Sequence, residues 1–511
     1  MQSARWACSL VACCLTAAAC ARGTATGGGP DDGALGVADS GLQPADASNP
    51  IDVDGAPANV DATAPLDAAL DSAAIASDAG DGAAASDGAL PTTCAAPRAF
   101  DEGASYEREL FVATSGDDAN DGSSTRPLRS IRAASDRATA GTRVVVRAGS
   151  YQNVSLNGVK GEALRPIAFV AEGEVFIEGA TGVGWAMSSP SYVVIQGFTI
   201  QNAPITGLSI DDGGNIGTPA HHVVLRNLTV RNTGTGGNND CIRLSGVDDF
   251  WLLGSKVSNC NRGEALDLVG CHRGVVSKNQ FRDTQQGGVQ AAGGSSDTLI
   301  HANLFENVPG RAVSAGGSTP AEQFRPSDAA HEARSIRVVA NLFLRTGTDN
   351  SSGTTIAYVG CDGCVFAHNT VVEPRRFIAR ILQENTAARL VPARNGLFVD
   401  NLLLIDTWQL SGSVSVGAGT LPESFVFGSN LWFAVDQTSY TGPVLDGGIP
   451  QETGSLVQVS PQLVDRVNGN YRPLSTSPAN GAARPLDFAL PPDFDGRCYT
   501  SPATLGAFAA P

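Results

Sequence analysis

Five polar residues in a recurring strand pattern could carry acid–base or ligand-binding chemistry. Arg243, Asp267 and Gln290 each stand between two apolar residues, and Asp240 and Glu264 lie three positions before the first two. Because side chains alternate between the two faces of a strand, Arg243, Asp267 and Gln290 should share one outward face, with Asp240 and Glu264 at equivalent positions just before these strands. Two carboxyl groups on such a face could act as general acid and general base, with Asp240, Arg243 and Asp267 as the predicted catalytic residues.

The same region offers ligands for a substrate and for a metal. Gln290, Arg311 and Glu264 are the predicted substrate-binding residues, and an arginine there would clamp a carboxylate rather than act as a base. Asp211, Asp240 and Asp267 could together supply the oxygen ligands that calcium prefers. Two insertions, at 212–221 and 318–334, should overhang this face.

A short repeat sets the elements that must position these residues. The repeat has apolar residues, then Asn, then a further apolar or aromatic residue, and its shortest spacing is 24 residues. That period is typical of one coil of a parallel β-helix, in which each coil stacks on its neighbours. The repeated asparagine should take a left-handed turn conformation and bond the asparagine of the next coil. The repeats are at Asn227, Asn279, Asn303, Asn341, Asn369, Asn401 and Asn430, with weaker copies at Gly197 and Ser255.

Successive coils should bring the variable strand positions into one row. The row predicted from this alignment is Arg243, Asp267, Gln290, Ser314 and Ala357. Residues upstream of the coils read as strand, loop, short helix and strand, and an amphipathic helix there would cap the open N-terminal end of the core. The sequence therefore predicts an all-β fold, a right-handed parallel β-helix with an N-terminal capping helix over residues 94–511.

These coils and their flanking segments resemble bacterial right-handed parallel β-helix repeat proteins, a group that includes polysaccharide lyases of family nine. The resemblance covers about residues 110 to 508. It implies a cell-surface protein that binds an acidic polysaccharide and cleaves it by β-elimination, with calcium as the cofactor. Family-nine lyases use a lysine as base, and the three lysines, Lys160, Lys256 and Lys278, all lie outside the predicted row.

Two other interpretations stay open at this point. The carboxyl pair would equally suit a glycoside hydrolase or an epimerase. Alternatively, the row is ordinary solvated surface, and the chain is a non-catalytic module for glycan binding or adhesion. A monomer is expected in either case, and the acidic net charge of −17 argues against a nucleic-acid partner.

The first 93 residues read as an export signal followed by a linker. A short apolar run after Arg5 ends in small residues before Cys20, which resembles a lipoprotein signal peptide over 1–20. Residues 21–93 are rich in Ala, Asp, Gly and Pro and predict a disordered linker. We expect a protein that is exported and lipid-anchored to the bacterial cell envelope, at the outer membrane or surface, or otherwise secreted.

Cysteines of the folded part fit an oxidising compartment. Seven follow Cys20, so at least one of them should be unpaired. The pair Cys361 and Cys364 is predicted to form a local disulfide, because no second pair accompanies it to make a zinc site.

The lipid anchor can be tested by removing its attachment residue. Cys20→Ala should release the protein from the membrane fraction or block its maturation, because the thiol is the predicted acylation site. Fractionation and mass spectrometry of the mature N-terminus would measure this. Membrane retention by the variant, with no lipid on the wild-type N-terminus, contradicts the prediction.

Overall fold

The apolar repeats form stacked parallel strands in the computed structural model, which describes residues 94–235 and 239–511. Nearly all strand pairs are parallel and join one coil to the next, as in a solenoid. The predicted right-handed parallel β-helix is confirmed. The expected signal peptide, Cys20 and the linker of residues 21–93 lie outside the described residues. Within the described part, no helix has the length and apolar character needed to cross a bilayer.

One side of the solenoid is a ten-stranded parallel sheet, which we name the site wall. Its strands alternate apolar residues that face the core with residues that face outward. They are Val154–Asn157, Trp185–Ser188, Leu208–Asp211, Ile242–Ser245, Leu266–Val269, Val289–Ala292, Arg311–Gly316, Thr354–Val359, Arg376–Leu382 and Leu410–Val416.

The other two sides belong to a continuous 25-stranded sheet that bends at a turn in every coil. It begins with Arg108–Val112, Thr142–Gln152 and Ile167–Glu178. Strands before the turn are Ser191–Gln196, Ala220–Arg226, Val247–Leu253, His272–Ser277, Ser295–Ser296, Leu299–His301, Ala333–Arg334, Arg337–Val339, Cys361–Asp362, Val365–Ala367, Leu397–Val399 and Val426–Gly428. Strands after the turn are Thr199–Gln201, Thr229–Thr233, Lys256–Cys260, Gln280–Arg282, Leu304–Glu306, Leu342–Leu344, Thr370–Val372, Leu402–Ile405, Leu431–Ala434 and Leu456–Val457.

Few elements fall outside these sheets. The helix Ile131–Ser135 begins at the N-cap Ser130, whose side chain accepts a hydrogen bond from the backbone of Ala133. Its buried residues Ile131 and Ala134 join the core beside the first strands, where the sequence predicted a cap. The remaining elements are the 3-10 turns Ala321–Gln323, Thr407–Gln409 and Pro422–Ser424 and the antiparallel pair Leu463–Asp465 and Asn470–Pro473.

Buried asparagines form a continuous ladder along the turn, as predicted. Asn303 Oδ1 accepts hydrogen bonds from the backbone N–H of Asn279 at 2.9 Å and from its side-chain amide at 3.0 Å. In the same way, Asn341 Oδ1 accepts from the backbone N–H of Asn303, and Asn369 Oδ1 accepts from that of Asn341. The side-chain amide of Asn341 also donates to the carbonyl of Ile300. Each side chain thus satisfies backbone groups that would otherwise be buried without partners.

The predicted role of the asparagines in the turn needs two corrections. The left-handed residue is the one before each ladder asparagine, for example Lys278 with φ 58° and Ala340 with φ 57°. Asn227 and Gly197 occupy that preceding position, one residue before the ladder, whereas Ser255 lies in the ladder and donates its backbone N–H to Asn279. The sequence pattern missed this offset because Asn also tolerates the left-handed conformation.

Stacked aromatic rings fill the core behind the ladder. Five phenylalanine rings follow one another in the coils from Phe281 to Phe398, with centroids 4.7 to 5.3 Å apart; three of the four neighbouring pairs are stacked, and the pair Phe343 and Phe366 is tilted by 38°. All of them are fully buried. Because phenylalanine is repeated at one core position in successive coils, each ring packs on the ring of the next coil.

Three disulfides link cysteines of the described residues. The predicted local pair Cys361 and Cys364 is bonded, and Cys241 is bonded to Cys260. Cys94 is bonded to Cys498, 404 residues away. Cys271 is the free cysteine of the described part and is buried.

The Cys94–Cys498 bond joins two segments that run along the outside of the coils. In the N-terminal segment, Asp101 pairs with Arg226 through two hydrogen bonds of 2.6 and 2.8 Å. In the C-terminal tail, the carbonyl of Pro492 lies 2.7 Å from His301 Nε2, and the backbone of Arg484 donates to Asp400. The two segments together cover the outer face of early and late coils.

Removing one ladder side chain should destabilise the whole solenoid. Asn341→Ala should cost roughly 2 to 4 kcal/mol in the free energy of unfolding, because it leaves buried backbone groups unsatisfied. Chemical or thermal unfolding would measure the loss. Asn350→Ala, at an exposed position, is the matched control, and equal stability of the two variants would contradict the ladder's role.

Candidate functional site

The strand register places the predicted row on the site wall. Arg243 pairs with Asp267, Asp267 with Gln290, Gln290 with Ser314, and Ser314 with Ala357. Neighbouring members are therefore about 4.8 Å apart along the solenoid axis. The row predicted from the 24-residue spacing is confirmed.

A second row lies at the N-terminal edge of the site wall. The backbone N–H of Cys241 donates to the carbonyl of Glu264, which sets Asp240 level with Glu264 in the next coil. The following coil has Gly287 at this level, and the coil after that has Arg311. The Glu264 carboxyl group fills the space over Gly287, where a Cβ would lie 1.5 Å from Glu264 Oε2. Glycine at 287 therefore makes room for this carboxyl group.

Five side chains of the two rows form one group, which we name the carboxyl cluster: Asp240, Arg243, Glu264, Asp267 and Gln290. Arg243 Nη1 lies 3.7 Å from Asp240 Oδ2 and 3.7 Å from Asp267 Oδ2. Asp240 Oδ1 accepts a hydrogen bond of 2.8 Å from the backbone of Glu264, and Gln290 donates one of 3.2 Å to Asp267 Oδ1. The structure thus brings together the three predicted catalytic residues and two of the predicted substrate-binding residues.

The carboxyl groups of the cluster are more buried than their outward position suggested. Asp240 is 7% exposed and Asp267 is 6% exposed, so neither is ordinary solvated surface. Arg243 remains partly open to solvent, with 36% of its side chain exposed. The row faces outward, but the flanking side chains and loops shield its acids.

Burial raises the pKa of all three acids, and repulsion by neighbouring carboxyl groups adds to this effect for Asp240 and Glu264. Burial, and then the charge of Asp267, raise the pKa of Asp240 to about 7. Burial, and then Asp267 and Asp240, raise the pKa of Glu264 to about 8, against the opposing effect of Arg311. Burial also raises the pKa of Asp267, while Arg243 and Gln290 favour its ionised form. Near neutral pH the cluster therefore holds both protonated and ionised carboxyl groups.

Two cavities flank the carboxyl cluster along the strands. The larger, about 470 Å³, lies at the N-terminal edge of the site wall. Its lining residues are Arg262, Gln285, Gln286, Gly310, Asp349, Ser351 and Ser352. The smaller, about 220 Å³, lies at the C-terminal edge, next to Arg243. We name the two cavities and the cluster between them the site groove.

Both predicted insertions overhang the site groove. Asp212 and Ile216 of the first insertion and Gln323 and Arg325 of the second line the smaller cavity. Arg325 is fixed there by hydrogen bonds of 2.7 and 2.6 Å to Asp248. The insertions therefore form one side of the groove.

The remaining predicted site residues lie apart from the cluster. Asp211 is level with Ser245, two residues farther along the strand than Arg243, and its carboxylate accepts from the backbone of Gly213. Arg311 lies in the same edge row as Glu264, but its guanidinium pairs with Glu384. Glu384 follows a site-wall strand in a loop without periodicity, so the repeat gave no signal for it.

The residues in this arrangement do not fit the predicted three-carboxylate calcium site. Asp211 is separated from Asp240 by five residues along the strand direction, which corresponds to about 16 Å. Among the residues that the structure describes, no group of three or more His, Cys, Asp or Glu side chains could hold a metal ion. Calcium as the cofactor stays a prediction.

Comparisons with known proteins agree with the fold. The family described as "Right handed beta helix region" matches residues 181–324. An uncharacterised protein of Bacillus subtilis strain 168, YwoF, is 27% identical over 222 residues, covering 34% of this chain and 46% of its own. The chain thus matches about half the length of this curated relative.

Solved structures with the same architecture include carbohydrate-active enzymes. The pectate lyase Pel9A superposes with a TM-score of 0.53 at 14% identity, covering 80% of this chain and 98% of its own. A GH136 lacto-N-biosidase from Eubacterium ramulus gives a TM-score of 0.47 at 14% identity, covering 69% of this chain and 68% of its own. At 14% identity the likeness to the pectate lyase concerns the architecture alone, and the chain is a right-handed β-helix protein.

Proposed function

We propose that this protein is a carbohydrate-active enzyme that cleaves an acidic polysaccharide in the site groove. The observation that carries this proposal is the grouping of the buried Asp240 and Asp267, which share the guanidinium of Arg243, with the partly buried Glu264. Burying carboxyl groups lowers the stability of a fold unless their charges are compensated. Clusters of this kind are concentrated at catalytic sites, where the pKa must be close to the working pH.

The neighbouring coils support a functional rather than a structural reason for these acids. At the level of Asp240 and Glu264, the preceding coil has Thr206 and the following coil has Gly287. The level of Asp267 has Ser209 before the cluster and Ala357 beyond it. Since uncharged residues serve the same backbone positions, the solenoid itself does not require the carboxyl groups.

Hydrolysis is the reaction that this arrangement supports best. Glu264, with its pKa raised to about 8, is protonated near neutral pH and would donate a proton to the glycosidic oxygen. Asp267 contacts Arg243 and Gln290, which favour its ionised form, and would activate water or attack the sugar. Asp240 shares Arg243 with Asp267 and would position that guanidinium.

β-Elimination is the second candidate, and the partly exposed Arg243 is the observation that favours it. A guanidinium beside the reacting groups could bind a uronate carboxylate and so ease removal of the neighbouring proton. The base would then be an ionised carboxylate, because the lysines lie elsewhere: Lys256 begins a strand of the 25-stranded sheet, and Lys278 precedes the ladder residue Asn279.

We also propose that the protein works outside the cytoplasm, attached to the envelope through Cys20. The three disulfides of the described part support an oxidising compartment.

Cleavage should depend on the cluster and not on the nearby Asp211. Glu264→Gln and Asp267→Asn should each lower kcat by about 100-fold or more, because they remove the proposed proton donor and the proposed base or nucleophile while preserving shape. Asp211→Asn, on the same wall but outside the cluster, is the matched control and should keep activity. The assay is release of reducing ends from pectate and alginate, with ultraviolet absorbance at the wavelength of a conjugated double bond.

The products of this assay separate the candidate functions. Reducing ends without absorbance indicate hydrolysis, and absorbance indicates β-elimination. If the wild-type protein binds a glycan but releases no product, the enzymatic proposal is wrong and the binding-module interpretation replaces it.

Stability should fall as pH rises through the range in which Glu264 ionises. Its pKa in the folded chain, about 8, is above the usual value of 4.5, so between these values the native state binds more protons than the unfolded state. Glu264→Gln should therefore raise the unfolding temperature by a few degrees near pH 8 and change it little below about pH 5. Glu322→Gln, at an exposed position, is the control, and equal pH profiles for both variants would contradict the burial of charge at Glu264.

A further inference from the structure

Arginines gather on the site wall beyond the carboxyl cluster. Arg380 continues the row of Arg243 and Asp267, one coil after Ala357. Burial, and then the charges of Arg311 and Arg376, lower the pKa of Arg380, while Glu384 opposes this effect. Glu384 already pairs with Arg311, so Arg376 and Arg380 form an excess of positive charge. Like charges packed together in this way favour an anionic ligand.

Aromatic rings accompany these arginines. The guanidinium carbons of Arg376 and Arg380 lie 5.4 and 5.7 Å from the ring centroid of Phe377. In the next coil, the residue level with Phe377 is Gly412. A Cβ at this position would lie 3.4 Å from the Phe377 ring. The small residue leaves this ring partly open to solvent.

Trp408 is the most exposed aromatic feature of this region. Its side chain is 88% exposed, although tryptophan normally buries most of its large surface. The turn that presents it is well fixed: the backbone of Trp408 donates to Asp406, and the backbone of Thr407 donates to Asp436 at 3.0 Å. Gln409 accepts a hydrogen bond from Arg375, which ties the turn to the preceding coil. A rigid turn therefore holds an unpartnered indole at the N-terminal edge of the site wall.

The arginines are continuous with the site groove. Arg380 Nη1 donates to the carbonyl of Ser351, and Ser351 lines the larger cavity. Four coils separate Asp267 from Arg380, which is about 19 Å along the solenoid axis. A chain that leaves the carboxyl cluster along the wall would pass the cavity and reach the arginines and then Trp408.

We propose that Arg376, Phe377, Arg380 and Trp408 form a remote subsite for an anionic polysaccharide chain whose reacting bond lies at the carboxyl cluster. Guanidinium groups bind carboxylate or sulfate substituents. Aromatic faces attract the weakly positive C–H face of a sugar ring by the same electrostatics that attract cations. This inference rests on the proposed function and adds where on the site wall the substrate chain binds away from the reacting bond.

Binding by non-cleaving full-length protein tests the remote subsite directly. In an Asp267→Asn background, Trp408→Ala and Arg380→Gln should each weaken binding of polygalacturonate or alginate about tenfold in affinity electrophoresis at low salt. Arg380→Gln should also reduce the salt dependence of binding. Trp408→Phe should retain part of the affinity, and binding of the corresponding disaccharides should be unchanged in every variant.

Arg466→Gln and Val467→Ala are the matched controls, because both residues are exposed away from the site wall. Polymer binding equal to that of the parent in Trp408→Ala and Arg380→Gln overturns the remote subsite while leaving the carboxyl cluster's role intact. Tighter binding of neutral xylan than of both acidic polymers overturns the anionic specificity. If the wild-type chain binds acidic polymer without cleaving it, the proposed cleavage fails and the subsite is still tested by the same variants. A wild-type chain that binds no polysaccharide refutes both.

Discussion

The asparagine ladder is the interaction on which the rest of the structure depends. Each ladder side chain accepts the backbone N–H of the ladder residue in the preceding coil and donates to a carbonyl three residues earlier in that same coil, as Asn303 does for Asn279 and Val276. A coil that slipped by one residue would lose these buried bonds and would also turn its apolar side chains outward. The ladder therefore fixes the register of all three sides, including the row in which Arg243 meets Asp267.

The positions of the site residues along the solenoid were predictable from the sequence, whereas the burial and contacts of their side chains were not. The row through Arg243, Asp267 and Gln290 follows from the 24-residue spacing and the two-residue alternation of strands, since both are local rules. Burial of Asp267 depends on side chains and loops contributed by other coils, and no local rule describes them. Glu384 was missed for the same reason, because it comes from an aperiodic loop. The offset at Asn227 arose where two turn positions accept the same residue type.

The carboxyl cluster illustrates a conflict between stability and chemistry. Thr206 and Thr354 show that the solenoid accepts uncharged residues at the level of Asp240 and Glu264. At the same level, Gly287 has no side chain, and the Glu264 carboxyl group occupies the space that a side chain at 287 would fill. A regular repeat thus departs from its own pattern in three successive coils, and the departures coincide with the groove between the two cavities.

The bond between Cys94 and Cys498 gives the domain a mechanical property. Residue 94 is the point at which the expected linker would leave the folded part, and the disulfide joins that point covalently to the C-terminal tail. Tension on the linker would otherwise peel the N-terminal segment from the first coils, one contact at a time. With the disulfide closed, the same tension is divided between two segments that run along different coils, so their contacts must shear together. Reduction of a single bond would convert this shared load into sequential peeling.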